Sequence, residues 1–171
     1  MRTLTIAALL LTACATTDAT SPFSRTAPWR AAPIARAGVP IVYVEQWAKA
    51  ENRAACAVVA FRTLGKQGTS AKPRAATFSG GWAVAYDFPE IRSAFGVAGT
   101  GVKAEGPSYD QWPYAHEWSD GSKVEYGPEG GQGPNQLAYL RIQGQDCLYN
   151  VWSRMGKDHL EELIRELRFV E

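Results

Sequence analysis

Residues 138–151 read AYLRIQGQDCLYNV, and their periodicity decides the fold class. Ala138, Leu140 and Ile142 are apolar at alternate positions before Gly144-Gln145, and Cys147, Tyr149 and Val151 are apolar at alternate positions after it. This is the period-2 pattern of two strands sharing one buried face. A two-residue turn at Gly144-Gln145 sets Ile142 opposite Cys147, Leu140 opposite Tyr149 and Ala138 opposite Val151. A face so uniformly apolar belongs to a core.

Two further hairpin signals lie upstream. Gly80-Gly81 predicts Phe78 opposite Ala83, Ala76 opposite Ala85 and Arg74 opposite Asp87, with Trp82, Val84 and Tyr86 on the reverse face. Asp120-Gly121, a type I′ signal, predicts His116 opposite Glu125 and Trp118 opposite Lys123, leaving Ala115, Val124 and Tyr126 on the other side. The run Ala54 to Phe61 is apolar on both faces and reads as a central strand. A short strand is expected near Ser93 to Ala98, and Val42 to Ala50 suits strand or helix. Leu160, Leu163, Ile164 and Leu167 recur at helical spacing, predicting an amphipathic helix over Lys157 to Arg168. Asp158 and Glu161 have the capping-box spacing, Glu161 and Arg165 form an i, i+4 pair, and His159 reads as a surface residue. The expected fold is α+β, a mainly antiparallel sheet of hairpins packed against the C-terminal helix, in a single domain over residues 41–171.

Composition agrees with a folded domain. Of 171 residues, 46% are hydrophobic and 20% charged, and 16 Gly with 10 Pro favour turns and short strands over long helices. Eighteen Lys and Arg against 17 Asp and Glu give a net charge of +1, too weak a field to gather nucleic acid.

The chain opens with Met1 and Arg2, then the largely apolar run Thr3 to Leu11, Thr12 and Ala13. One positive charge, a short apolar stretch and a small residue, in that order, read as a signal peptide over residues 1–13. The run falls short of the roughly 20 residues a bilayer span needs. Its end, Leu11-Thr12-Ala13-Cys14, resembles the lipobox of bacterial lipoproteins. The resemblance implies cleavage before Cys14 and attachment of fatty acyl chains of the palmitate kind there, so the protein would be anchored to a membrane rather than spanning it. Ala15, in place of Asp, by the same resemblance favours the outer membrane, facing the periplasm, over the inner membrane. Residues 14–40 then read as the lipidated Cys and an Ala/Thr/Pro-rich tether, because Pro22, Pro28, Pro33 and Pro40 interrupt any helix. With Cys14 acylated, Cys56 and Cys147 remain to pair as a disulfide, in keeping with an exported protein. Their bridge closes a loop long enough to contribute about 4 to 5 kcal/mol on the chain-entropy model.

No serine-hydrolase elbow, phosphate loop, HExxH or calcium loop is present. The nearest catalytic grouping is His116 with Glu125 and Lys123 on the Asp120-Gly121 hairpin, where a carboxylate facing an imidazole would suit acid–base work. A solvated cross-strand ion pair accounts for the same residues more simply. His116, Glu117 and Asp120 suggest no metal, since neighbours on a strand face opposite ways. Nothing calls for a cofactor. Aromatic density is the stronger signal: Tyr109, Trp112, Tyr114, Trp118 and Tyr126 crowd one stretch before the Gly-rich segment Gly127 to Pro134. Flat rings beside a loop would grip a glycan or a partner's side chains, although they would equally fill a core. The candidate binding residues are therefore Trp112, Tyr114, His116, Trp118, Lys123 and Glu125. The expected function is a non-enzymatic envelope lipoprotein that binds an envelope protein or glycan. The alternatives are an envelope hydrolase or transferase using His116 and Glu125, and a purely structural assembly component.

Overall fold

The computed structural model describes residues 21–104, 112–131 and 133–171. The signal segment 1–13, Cys14 and Tyr109 lie outside them. The elements in order are α1 (Ile41–Lys49), β1 (Val59–Phe61), α2 (Gly65–Gly68), β2 (Lys72–Ala76), β3 (Trp82–Asp87), β4 (Phe95–Gly99), β5 (Tyr114–Glu117), β6 (Lys123–Pro128), β7 (Gln136–Arg141), β8 (Leu148–Ser153), α3 (Lys157–Arg165) and β9 (Leu167–Phe169). The fold is α+β. Seven strands form one antiparallel sheet in the order β2-β3-β4-β8-β7-β6-β5, and β1 pairs with β9 in a separate two-stranded ribbon. No helix among the described residues is long and apolar enough to cross a membrane.

The central hairpin has the expected register, with Leu140 opposite Tyr149 and Ala138 opposite Val151. All four are fully buried. Gly144, at φ +86°, turns the chain, and the Gln145 N–H closes on the Ile142 carbonyl at 3.0 Å. Val97, Val84 and Trp82 continue the inner face across β4 and β3. Onto that face pack α3, α1 and the β1–β9 ribbon, whose Phe61 meets Tyr86 and Phe95.

Three expectations are corrected here. The β2–β3 register is displaced by two residues, with Ala76 opposite Ala83 and Arg74 opposite Ala85. Gly81 is not at a free hairpin tip, because a β-carbon there would strike the Gly99 carbonyl and the Thr100 and Gly101 backbone, and residues 77–81 all serve as the connection. An even displacement keeps every side chain on its face, and Arg74 still reaches Asp87 diagonally at 2.7 Å. Second, the Ala54 to Phe61 run is no central strand. Only Val59–Phe61 is extended, and backbone groups of residues 55–57 bond instead to the Asp146 N–H, the Gln145 amide and the Tyr149 hydroxyl. Third, residues 21–40, read as tether, pack on the domain. Phe23, Ala27, Trp29 and Val39 are buried, and Ile34 bridges in parallel to Val170. The prolines stop helix formation but leave an extended path that the sheet and α3 accept.

Cys56 and Cys147 are bridged, with their α-carbons 5.4 Å apart and a sequence separation of 91. Gly99 is required beside the bridge: a β-carbon there would strike the Cys56 sulfur and the Trp82 indole.

Helix α3 buries Leu160, Leu163 and Ile164 fully, with Leu167 just beyond it at the start of β9. Its capping box does not form. Gly156 occupies the N-cap, the Asp158 side chain is fully exposed, and buried Glu161 accepts from the Tyr126 hydroxyl (2.7 Å) and Lys157 Nζ (2.9 Å) rather than pairing with Arg165. His159 is buried, contrary to the surface reading. Its Nε2 faces the Leu64 carbonyl at 3.2 Å and its Nδ1 faces the Ser153 hydroxyl at 2.9 Å, an arrangement that suits a neutral ring donating from Nε2.

Burial lowers the His159 pKa from its ordinary value, against smaller opposing effects of the Leu64 carbonyl and Glu162. The folded state therefore binds fewer protons at this ring than the unfolded chain. Its contribution to stability is complete above the unfolded value of about 6.5 and is lost as pH falls through the folded pKa. Urea midpoints should decline between pH 7.5 and 5, and His159→Gln, less stable at pH 7.5, should show a shallower decline over that window.

Candidate functional site

The Asp120-Gly121 hairpin differs from its expected register by one residue. Trp118 and Ser122 close the loop (N–H to carbonyl, 2.9 Å), leaving Ser119, Asp120 and Gly121 as a three-residue tip with Gly121 at φ +86°. The N-terminal segment holds this tip. Asp120 accepts from Trp29 Nε1 (3.2 Å) and Arg30 Nε (3.0 Å), and the Ser119 N–H donates to the Arg25 carbonyl. Burial alone would raise the Asp120 carboxyl, but bonds from Ser122, Arg30 and Trp29 outweigh it and lower its pKa.

A one-residue step exchanges the faces of one strand relative to the other. His116 now lies opposite Val124, and Glu125 opposite Ala115. The expected His116–Glu125 and Trp118–Lys123 pairs are therefore not formed. Glu125 bonds to Arg141 at 2.9 Å and Lys123 to Glu117 at 3.1 Å on the outer face, while His116 contacts the Ser21 hydroxyl (2.8 Å) and the Ser24 carbonyl (3.2 Å) on the inner one. The six candidate residues divide accordingly. Trp118 is buried against Phe23 and, edge to face at 4.8 Å, against Trp29. Tyr114 stacks on Tyr126 at 5.2 Å with Lys157 Nζ 5.0 Å from its ring centroid. Trp112 stacks on Tyr139 at 4.9 Å, on the outer side. The inward-facing aromatics of this hairpin thus receive the chain's own N-terminal segment.

The outer side of the sheet carries a groove that periodicity did not reveal. The outward residues beside it are small, Ala76, Ala83, Ala85, Gly96 and Ala98 on β2, β3 and β4, and of these Ala76 lines it. Trp152 of β8 lies across Gly96, where any β-carbon would collide with the indole, and its Nε1 faces the Ser93 carbonyl at 3.3 Å. Trp152, Phe78 and Leu137 supply the apolar surface of a groove of about 470 Å³, Asn150, Asn135 and Thr77 its neutral polar groups, and Glu129 and Arg154 its charged ones. Asn150 Oδ1 is shielded from solvent and has no hydrogen-bond partner among the described residues. Ser93, the one described non-glycine residue with positive φ (+51°), is held beside the groove by its N–H to Asp87 and by the Arg74 guanidinium. Trp152 and Asn150 carried a signal, since they occupy the outward phase of the stretch whose inward phase defines the core.

No family model, curated protein or solved structure matches this chain at a significant level.

If Phe23 secures the N-terminal segment to the hairpin, Phe23→Ala should cost about 3 kcal/mol. The check is a urea titration together with limited trypsin digestion, in which cleavage after Arg25 and Arg30 should accelerate.

Proposed function

We propose that this chain is a lipoprotein of the bacterial cell envelope, anchored through Cys14 to the outer membrane and facing the periplasm, whose domain binds a glycan without transforming it. The observation that carries the binding half is the groove on the outer face of the sheet. A sugar ring offers an apolar C–H face and a hydroxyl edge. The indole of Trp152, supported from below by Gly96, matches the first. The amides of Asn150 and Asn135 and the Thr77 hydroxyl match the second, because each both donates and accepts. The unpartnered Asn150 oxygen is an acceptor that a bound hydroxyl would satisfy. The anchoring half is supported by the residues Leu11-Thr12-Ala13-Cys14, and the Cys56–Cys147 bridge accords with an oxidising compartment.

Two measurements test the halves separately. The intact mass of protein extracted from membranes should correspond to a chain beginning at an acylated Cys14; an unprocessed, unmodified chain overturns the anchor. The purified protein should co-sediment with insoluble peptidoglycan sacculi, and Trp152→Ala should reduce retention about tenfold at unchanged melting temperature. Wild-type protein that stays in the supernatant, or a variant that pellets equally, overturns the glycan reading.

A further inference from the structure

On the other side of the sheet, the N-terminal segment and the C-terminal end of α3 enclose a cleft of about 400 Å³ lined by Phe23, Ser24, Trp118, Arg30, Arg165 and Arg168, among others. No acidic residue lines it. Arg30 is paired with Asp120. Arg165 and Arg168 are not in ion pairs within 4.0 Å among the described residues. Their guanidiniums face only backbone carbonyls, of Pro22 for Arg165 and of Arg165 and Leu167 for Arg168. Arg25 adds a further exposed cation on the same segment. Positive charge is thus gathered here in a chain whose net charge is only +1.

The described chain begins beside this cleft. The Ser21 hydroxyl bonds to His116, the Pro22 carbonyl accepts from Arg165, and Phe23 and Ser24 form part of the wall. Seven residue-to-residue steps lead from Cys14 to Ser21, so even a fully extended connection spans no more than about 25 Å. An acyl anchor at Cys14 therefore keeps this face within reach of the headgroups.

From this juxtaposition we infer that the arginine-rimmed cleft docks on anionic phospholipid headgroups of the membrane that carries the anchor, which rests on the anchored reading above. The lipid phosphate is the complementary group: Arg165 and Arg168 present planar donors that no carboxylate among the described residues holds within ion-pair distance, and Arg25 adds attraction that decays within a Debye length of the surface. One face of the domain is then held to the membrane, and the sheet's open groove lies on the opposite side.

The test uses the mature chain from position 14 carrying Cys14→Ser, so that no acyl chain contributes, with vesicles of phosphatidylcholine alone or mixed with phosphatidylglycerol. Partitioning should be at least about tenfold greater onto the anionic vesicles at low salt and fall at high salt. Arg165→Glu with Arg168→Glu should abolish the preference, and Arg165→Gln with Arg168→Gln should reduce it less. Lys49→Glu with Lys66→Glu, the same charge change at exposed sites on other elements, should leave most of it. Equal partitioning onto both vesicle types, or equal loss in the arginine and lysine variants, overturns the inference. Failure of the anchor itself would be seen only in the intact mass at Cys14, so the two results are read independently.

Discussion

The Cys56–Cys147 bond is the constraint around which the domain is arranged. It fastens the loop after α1 to the start of β8, across 91 positions of chain, and the surrounding groups are shaped to it. Gly99 leaves room for the sulfur, Trp82 and Tyr149 meet edge to face nearby at 6.3 Å, and the Ala57 carbonyl receives the Tyr149 hydroxyl at 2.9 Å. Because backbone groups of residues 55–57 are satisfied at the β7–β8 end of the molecule, that segment has no need of a strand partner. The ribbon β1–β9 is confined to the few residues that remain. One covalent bond thus decides both where the long apolar run stops behaving as a strand and which layer covers the inner face.

Sequence periodicity revealed the centre of this arrangement because burial there is one-sided and strong. Around Gly144 a slip of one residue would expose Ala138, Leu140, Tyr149 and Val151 together, so pattern and turn chemistry enforce the same register. The Asp120-Gly121 hairpin lacked that protection. Its strands carry aromatic or charged residues in both phases, and either register places plausible neighbours together. What selected the three-residue loop was Asp120 bonding to Trp29 and Arg30, some 90 positions away. A long-range polar contact of that kind leaves no periodic trace in the local sequence. The proline-rich segment misled for a related reason: prolines exclude helix, but they do not exclude an extended chain that buries Phe23 and Trp29.

The candidate site was partly legible for the same physical reasons. Aromatic crowding between Trp112 and Tyr126 correctly marked a region where rings gather, yet most of those rings meet the chain's own N-terminal segment or one another. The groove depends instead on what is missing. Alanines and glycines on the outer phase of β2, β3 and β4 leave a floor low enough for Trp152 to lie flat, and a row of small residues in a strand reads from sequence as weakness rather than as space.

The sheet separates the two surfaces by chemistry as well as by position. Its inner side is closed by helices and by the N-terminal segment, whose Asp120 contacts are polar and charge-assisted, and the cleft left at that junction is cationic. On its outer side the small residues of β3 and β4 are themselves buried, and the groove beside them sets Trp152, Phe78 and Leu137 among neutral Asn and Thr groups, with Glu129 and Arg154 also in its lining. A phosphate meets a carboxylate, Glu129, as well as a guanidinium, Arg154, in the groove, whereas the cleft gathers cations with no acidic residue in its lining. If the groove takes a glycan and the cleft a membrane surface, as proposed, the two partners meet different chemistry on opposite sides of the sheet, so both contacts can be made at once on one small domain.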